Sequence, residues 1–560
     1  MDSIIIKTTD YTSYKKPDRT TVYFNGGKKD IDKDDYKILL SLLLCSPKVK
    51  EMFAFSCDAS NSLVQDKPFW DYYLDKKQDK KVRRPNSDLF DSYENYNYNK
   101  KDDDYKNCEF IITGVKGFAG VIRNEIDWNG KKYDVTLEVR SRFDEENKPW
   151  FLATMLSQFI TGEQRISTSN EVWKGDIEIF GFLSAVLFQN LLKRAYESGI
   201  YKTYVRIEHN DEKLRGTIDI ARHLRLNAGR NDAVIAYNTR EHSYDNMLNH
   251  LIIITWDYLK RRYSGICEQI EKDTEFLRAV KNIRGFIGGK RAELSRCVKD
   301  CQHSITGPYY TDYEELRKLC LIILNDEANA NIFSGNSDRN VCGIAIYIPD
   351  LWEKYLERAI RQQLPQDITL SAQDDLNVVK DKSIFSGDRL KNLIDKQVFI
   401  ENYYKQEYNK HFCHIYPDFV FKSADKPFYI LDAKFKIYKK EDNTNIEDDV
   451  KKLKRDMLFF SKRHYGCAFP LSPIKGGLIM PNSEANEIEF LSSYTDHYIN
   501  LYFIKVPSAE KNNDYNKWLK EFLERTKEGL QPLRDLLNDF KTNLDMEQEL
   551  INKYYEEKGN

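Results

Sequence analysis

The sequence predicts an α+β multidomain protein with a β-rich N-terminal part, a helical middle region and a C-terminal mixed sheet flanked by helices. A length of 560 residues corresponds to roughly three to four domains of about 150 residues each. Aromatic residues make up 13% of the chain, which supplies large side chains for several hydrophobic cores. The hydrophobic period changes along the chain, from short β-branched runs to helical spacing and then to a mixture of the two.

The N-terminal part divides into two predicted regions. Residues 1–107 are expected to be an extension that ends in a solvated linker, because residues 75–84 and 95–107 are dense in Lys, Asp, Asn and Tyr. Residues 108–165 are predicted to contain a small β domain, since short β-branched runs alternate with Gly and Asn-Gly turns up to residue 143.

Residues 166–340 are predicted to be mainly helical. Apolar residues recur at helical spacing in three long segments, 180–200, 246–262 and 312–324. The segment KLRGTIDIARHLRLN (213–227) is instead expected to form a strand and a turn that lead into a polar stretch.

Residues 341–507 are predicted to form the mixed sheet and its helices, and residues 508–560 a helical appendage. An amphipathic helix is expected over 348–364 and a second helix over 445–466. The predicted strands are the two apolar runs within 416–438, GGLIMP at 476–481 and HYINLYFIKV at 497–506.

The stretch YPDFVFKSADKPFYILDAKFKIY (416–438) carries the candidate active site. Asp432 and Lys434 lie two positions apart on a strand, so they project from the same face. If the two apolar runs fold back as an antiparallel pair, Asp418 approaches the Asp432 end. Two carboxylates and the Ala433 carbonyl are oxygen ligands that suit Mg²⁺ or Mn²⁺, and Lys434 could orient or deprotonate a water molecule. A plain surface ion pair is the alternative, although FYILDAKF is too apolar for a fully exposed strand.

These residues resemble a known nuclease signature. Pro417-Asp418 followed by Asp432-x-Lys434 resembles the PD-(D/E)xK motif of restriction-endonuclease-like folds. Further segments resemble, in the same order, elements of the McrC family, which comprises nuclease subunits of modification-dependent restriction systems. These segments are 118–143, 151–160, 213–227, 244–252 and 351–360.

The resemblance implies a DNA endonuclease in a restriction system for phage defence. It implies that Asp418, Asp432 and Lys434 are catalytic, with Mg²⁺ or Mn²⁺ held by the two Asp side chains and the Ala433 carbonyl. It also implies an McrB-like AAA+ GTPase or ATPase as partner, which the β segment 108–143 would contact. The sequence has no G-x-x-x-x-G-K-[ST] motif, so a motor must be another chain. A net charge of −2 fits a protein whose partner shares the DNA contact.

The helix after Lys434 departs from the family pattern, which often has Gln and Tyr there. Lys452 or Arg455 could replace the Gln in contacting DNA phosphate. Residues 434–463 contain ten Lys or Arg and six Asp or Glu, which suits a surface that faces the DNA backbone. An ordinary solvated helix face is the alternative.

Glu353 has two interpretations. Some nucleases of the resembled fold use a carboxylate from the preceding helix as a further metal ligand, and Glu353 holds the matching place. Asp350 and Glu353 also form a D-x-x-E capping box at a helix start.

Two other functions stay open at the level of sequence. One is a PD-(D/E)xK nuclease that acts without a motor, and the other is a degenerate adaptor that only activates a partner NTPase. Apolar runs such as 38–45 and 251–256 are too short to span a bilayer, and the N-terminus has no signal-peptide pattern, so a cytoplasmic protein is expected.

Overall fold

The computed structural model describes much of the chain in separate ranges, which divide into two compact units. The described residues are 2–13, 20–57, 63–75, 80–94, 108–145, 148–160, 179–197, 199–229, 233–262, 296–301, 310–331, 342–372, 376–378, 413–415, 417–423, 426–436, 443–465, 474–482, 499–509 and 514–558. The first unit comprises Met1–Arg140, Glu146–Pro149 and Leu156–Tyr347, and the second comprises Ser141–Glu145, Trp150–Met155 and Ile348–Asn560.

Strands and helices alternate irregularly along the chain. The strands are β1 Asp2–Thr9, β2 Thr12–Ser13, β3 Thr21–Phe24, β4 Gly27–Lys29, β5 Phe53–Cys57, β6 Leu63–Pro68, β7 Trp70–Asp75, β8 Lys80–Pro85, β9 Phe90–Glu94, β10 Phe110–Val115, β11 Phe118–Trp128, β12 Lys131–Arg140, β13 Thr203–Asp211, β14 Thr217–Ile218, β15 Ile235–Ser243, β16 Cys342–Tyr347, β17 Ile368–Ala372, β18 Leu376–Val378, β19 Cys413–Ile415, β20 Phe419–Ser423, β21 Lys426–Ala433, β22 Lys475–Asn482 and β23 Ile499–Lys505. The helices are α1 Lys33–Leu44, α2 Pro47–Lys50, α3 Trp150–Ile160, α4 Ile179–Glu197, α5 Ile220–Asn227, α6 Met247–Arg262, α7 Thr311–Asn331, α8 Ile348–Arg361, α9 Asn443–Tyr465 and α10 Tyr515–Lys558.

The first unit is built on an eight-stranded sheet in the order β4-β3-β1-β12-β11-β16-β5-β6. Strand β1 alternates between buried Ile4 and Ile6 and the partly exposed positions between them, as expected for a strand with one face on a core. The β11–β12 hairpin turns at Asn129 and Gly130, whose φ angles of 53° and 71° are the left-handed values that this turn requires.

The predicted boundary near residue 107 does not divide this sheet. Strand β1 pairs in parallel with β12, and β16 pairs with β11, so strands from three distant parts of the chain share one sheet. The expected linker at 75–84 also contains strand β8, which pairs with β7. The prediction of a separate β domain at 108–165 is therefore corrected, because the pairing partners lie outside it; residues 95–107 lie outside the described range.

The middle of the chain holds the predicted helices α4, α6 and α7, and also a small sheet in the order β13-β15-β14. The segment 213–227, expected to form a strand and a turn, instead contains helix α5 at Ile220–Asn227. The Asp219 carboxylate caps it by accepting a hydrogen bond from the backbone N–H of Arg222 at 3.0 Å.

The second unit contains a five-stranded mixed sheet in the order β17-β20-β21-β22-β23. The β20–β21 pair is antiparallel, whereas β21, β22 and β23 run parallel. Helix α8 lies within the predicted range 348–364, and α9 matches the predicted range 445–466 to within two residues, so both predictions are confirmed.

Helix α10 is an integral part of the second unit rather than an appendage. Its residues Trp518 and Phe522 are fully buried, and the Thr526 hydroxyl lies 2.8 Å from that of Tyr355 on α8. None of the described helices combines the length and apolar character needed to cross a membrane.

Candidate active site

The β20–β21 hairpin brings Asp418 and Asp432 together. Phe419 pairs with Leu431 in the antiparallel register, so the two Asp residues that flank this pair are adjacent across the strands. Asp418 Oδ2 accepts a hydrogen bond of 2.7 Å from the backbone N–H of Ala433. The convergence of carboxylates expected from the sequence is thus present at the end of this hairpin.

Asp432 is buried because β21 lies inside the sheet, between β20 and β22. The run from Pro427 to Leu431 is buried, and Asp432 itself is only 2% exposed. A carboxylate at such a position requires a counter-charge, since transfer of an unpaired charge from water to a protein interior is strongly unfavourable.

Two ammonium groups supply that counter-charge. Lys434 Nζ forms an ion pair with Asp432 Oδ2, and Lys452 Nζ lies 3.4 Å from Asp432 Oδ1. Lys434 extends the strand ladder, because its backbone N–H donates to the Ile479 carbonyl at 2.8 Å. Lys452 approaches from helix α9, so the site combines a strand end with a helix face.

A further acid on α9 lies beside Lys434. Asp449 Oδ1 is 3.9 Å from Lys434 Nζ, and the Asp449 carboxylate accepts hydrogen bonds from Lys436 Nζ at 3.1 and 2.9 Å. Sequence reasoning missed Asp449 and Lys436. The signal for Asp449 was its spacing, since Asp449 and Lys452 are three residues apart and therefore share a helix face.

The pKa values of the two Asp residues in the site are shifted in opposite directions. Burial raises the pKa of Asp418 well above its usual value, and the charges of Asp432 and Glu353 raise it further. Burial acts in the same direction on Asp432, but the charges of Lys434 and Lys452 outweigh it and lower the pKa of Asp432. Adjacent carboxylates whose pKa values are shifted in opposite directions are common at functional sites.

Lys434 stays a cation in this setting. Burial acts to lower its pKa, yet the charges of Asp432, Asp418 and Asp449 outweigh burial and raise the pKa above that of a free lysine. An ammonium in such surroundings can donate hydrogen bonds to a water molecule or a phosphate oxygen.

Glu353 on helix α8 is close enough to Asp418 for its charge to raise the Asp418 pKa. The helix begins at Ile348, so Asp350 lies in its first turn rather than at the cap position. The capping-box interpretation of Glu353 is therefore wrong, because a capping box needs its first residue before the helix.

The donor chemistry of the site fits a hard divalent cation. Among the residues that the structure describes, no group of three or more His, Cys, Asp or Glu side chains is arranged to hold a metal ion. Asp418 and Asp432 are adjacent carboxylates, which Mg²⁺ and Mn²⁺ prefer as ligands. Asp432 is paired with Lys434, so a cation would compete with this ammonium for the carboxylate.

The two basic residues predicted on α9 differ in their placement. Lys452 contacts Asp432 and is 36% exposed at its side chain. Arg455 Nε instead donates to Asp456 Oδ1 at 2.8 Å, and its side chain is 14% exposed. Lys452 thus contacts a carboxylate of the β20–β21 hairpin, whereas Arg455 pairs with an acid of its own helix.

Two polar residues from the segments that resemble the family act within the first unit. Arg215 Nε donates to the Tyr237 hydroxyl at 2.9 Å. Asn249 Nδ2 donates to the carbonyls of Tyr201 and Tyr244 at 2.8 and 2.7 Å. Both side chains are therefore engaged in hydrogen bonds within the first unit.

The chain was compared with curated proteins and with solved structures. A search of curated proteins found no match. One solved structure, described as a refined half-complex from a tetradecameric assembly of Thermococcus gammatolerans McrB AAA+ hexamers with bound McrC, aligns over 93% of this chain and 99% of its own at 13% identity and a TM-score of 0.35. A cryo-EM structure of the Thermococcus gammatolerans McrBC complex aligns over 50% of this chain and 77% of its own at 13% identity and a TM-score of 0.22.

A protein-family model matches a long continuous part of the sequence. The family described as the McrBC 5-methylcytosine restriction system component matches residues 115–457, which is more than half of the chain. That range includes Glu353, Asp418, Asp432 and Lys434. The chain therefore belongs to the family of McrBC 5-methylcytosine restriction system components.

Proposed function

We propose that the chain is the DNA endonuclease subunit of an McrBC-like restriction system and hydrolyses phosphodiester bonds with Mg²⁺ or Mn²⁺. The observation that carries this proposal is the convergence of Asp418, Asp432 and Lys434 at one end of the β20–β21 hairpin. The mixed sheet supports a PD-(D/E)xK core, because an antiparallel hairpin bearing the acids is followed by helix α9 and a parallel strand.

In this proposal the residues of the site have separate tasks. Asp418 and Asp432 would hold the cation, with the Ala433 carbonyl and Glu353 as further oxygen donors. The cation would supply charge stabilisation to the phosphorus centre as water attacks in line. Lys434 would donate hydrogen bonds that orient the water and offset phosphate charge, using ammonium N–H groups other than the one that contacts Asp432.

We propose that a separate McrB-like AAA+ GTPase or ATPase drives DNA to this site, since the sequence carries no P-loop. The apolar residues of 108–143 are mostly buried in the first sheet, which leaves little apolar surface there for a partner. Helix α5 offers more, because Ile220 and Leu224 are 69% and 60% exposed while Arg222 is buried. Exposed apolar clusters of this kind mark interaction surfaces, so we place the partner contact on α5 and β14.

The test is cleavage by the native complex. The tagged chain, with the proteins that co-purify, is incubated with modified and unmodified plasmid, Mg²⁺, and GTP or ATP. We expect nucleotide-dependent cleavage that is lost in Asp432→Ala and kept in Asp448→Ala, an exposed acid on the same helix α9 as Lys452. Equal cleavage by wild type and Asp432→Ala contradicts the assignment, and cleavage without nucleotide indicates a nuclease that needs no motor.

A catalytically inactive adaptor is the second candidate, and one observation favours it. Lys434 already neutralises Asp432, and the described residues hold no ready three-ligand metal group. An adaptor would still raise the NTPase rate of the partner, and Asp432→Ala would leave that stimulation unchanged while no DNA is cut. Cleavage by the wild-type complex would exclude this candidate.

A further inference from the structure

In the proposed site, two ammonium groups contact the Asp432 carboxylate, and they differ in burial and in the length of that contact. Lys434 is 12% exposed at its side chain and lies between two acids, Asp432 and Asp449. Lys452 is 36% exposed and lies 3.4 Å from Asp432 Oδ1, which is at the long end of hydrogen-bond distances. Separating Lys452 from Asp432 should therefore cost less free energy than separating Lys434 from it.

A phosphodiester that enters the site brings its own negative charge. The contact of Lys452 with Asp432 is long, at 3.4 Å, so a phosphate that approaches the exposed side of the ammonium competes with Asp432 for it. Because the side chain of Lys452 is partly solvent-exposed, it can reach an anion that approaches from outside. Lys434 is confined by burial and by Asp449, which favours its retention among the acids.

We propose, on the basis of the proposed nuclease function, that Lys452 is a substrate-binding residue whose ammonium transfers from Asp432 to a phosphate of the bound DNA. The release of Lys452 leaves Asp432 with one ammonium fewer, so DNA binding itself increases the negative charge available at the two carboxylates. Arg455 does not share this task, because its guanidinium is paired with the buried Asp456.

Lys451 is a matched control on the same helix. Lys451 Nζ lies 3.4 Å from both Glu447 and Asp448, which are acids of α9 itself. Lys451→Gln and Lys452→Gln remove the same charge from adjacent positions, but only the second removes a cation that contacts Asp432.

The experiment measures binding of a short DNA duplex to the purified native complex in EDTA at several salt concentrations. Each ammonium that contacts a phosphate of duplex DNA adds about 0.9 to the slope of log Kd against log salt concentration. We expect Lys452→Gln to reduce this slope by about 0.9, Lys451→Gln to leave it unchanged and Lys452→Arg to keep the wild-type value.

An unchanged slope in Lys452→Gln would overturn the proposal, even if cleavage fell, because Lys452 would then act only by neutralising Asp432. An equal loss of slope in Lys451→Gln would overturn it too, since the effect would be one of general charge. If the slope changes as expected while the wild-type complex cuts no DNA, the phosphate contact stands and the nuclease function fails.

Discussion

At the scale of single residues, Asp418 is a carboxyl group whose ionised form is disfavoured by its surroundings. Burial raises its pKa well above 3.8, with further contributions from Asp432 and Glu353. A carboxyl group whose pKa is higher in the folded than in the unfolded state destabilises the fold once the pH exceeds the unfolded value. That penalty grows with pH until the folded group also ionises.

Asp418→Asn is therefore expected to stabilise the metal-free protein at neutral pH, by about 1 kcal/mol, while it abolishes DNA cleavage. The Asn side-chain oxygen can still accept the hydrogen bond from the Ala433 N–H, so the hairpin should be preserved. Urea unfolding of both proteins at pH 5 and pH 8 measures the effect, and the gain should be larger at pH 8.

Magnesium provides the control for this variant. A ligand that binds only the folded state raises its stability by mass action, so Mg²⁺ should increase the urea midpoint of the wild type more than that of Asp418→Asn. Equal stabilisation of both proteins by Mg²⁺, or a variant less stable than wild type at pH 8, would contradict the role assigned to Asp418.

At the scale of elements, helix α5 buries polar side chains and exposes apolar ones. The Arg222 guanidinium is buried and donates to the carbonyls of His209 and Tyr237 at 2.8 and 2.7 Å. Leu224, two residues further along the helix, is 60% exposed. Polar groups therefore attach this helix to its sheet and apolar groups face outward.

Substitutions on the two faces of α5 are expected to have opposite effects. Arg222→Ala removes a donor from the carbonyls of His209 and Tyr237 and should destabilise the β13–β15 region by about 2 kcal/mol, seen as faster amide hydrogen exchange in β15. Leu224→Ser should leave exchange unchanged and weaken binding of the co-purifying NTPase. Normal NTPase binding by Leu224→Ser would show that the partner docks elsewhere.

The same elements show what sequence could and could not predict. Helices α8 and α9 follow the apolar period of an ordinary amphipathic helix, and their ranges were predictable to within a few residues. The Asp418 and Asp432 pairing followed from a short turn between two apolar runs. Helix α5 could not be recognised, because its buried positions, Arg222 and Asn227, are polar and apolar periodicity points to the wrong face.

At the scale of the whole molecule, long-range strand pairing limited the prediction of domains. The pairing of β1 with β12 joins residues more than 120 positions apart, for example Ile4 with Val135. The pairing of β11 with β16 joins Phe118 with Tyr347. Local periodicity carries no information about such partners, so the boundary placed at residue 107 fell between strands of a single sheet.

Helix α10 belongs to the second unit, so a substitution of one of its buried residues is expected to destabilise that unit. Trp518 on α10 is fully buried, donates from Nε1 to the Pro507 carbonyl at 2.8 Å and stacks on Phe522 at 5.3 Å. Trp518→Ala removes a large buried side chain and leaves that carbonyl without its donor, so we expect a loss of about 3–5 kcal/mol in the second unit.

Amide hydrogen exchange resolves the two units, with Trp256→Ala in the first unit as the matched substitution, since Trp256 is also fully buried. Trp518→Ala should deprotect β21, β22 and β23, which form the sheet of the proposed active site, and leave β11 and β12 protected. Trp256→Ala should deprotect helix α6 and spare the mixed sheet. Loss of protection confined to α10 in Trp518→Ala would show that this helix is the peripheral appendage expected from the sequence, and that the fold of the site does not depend on it.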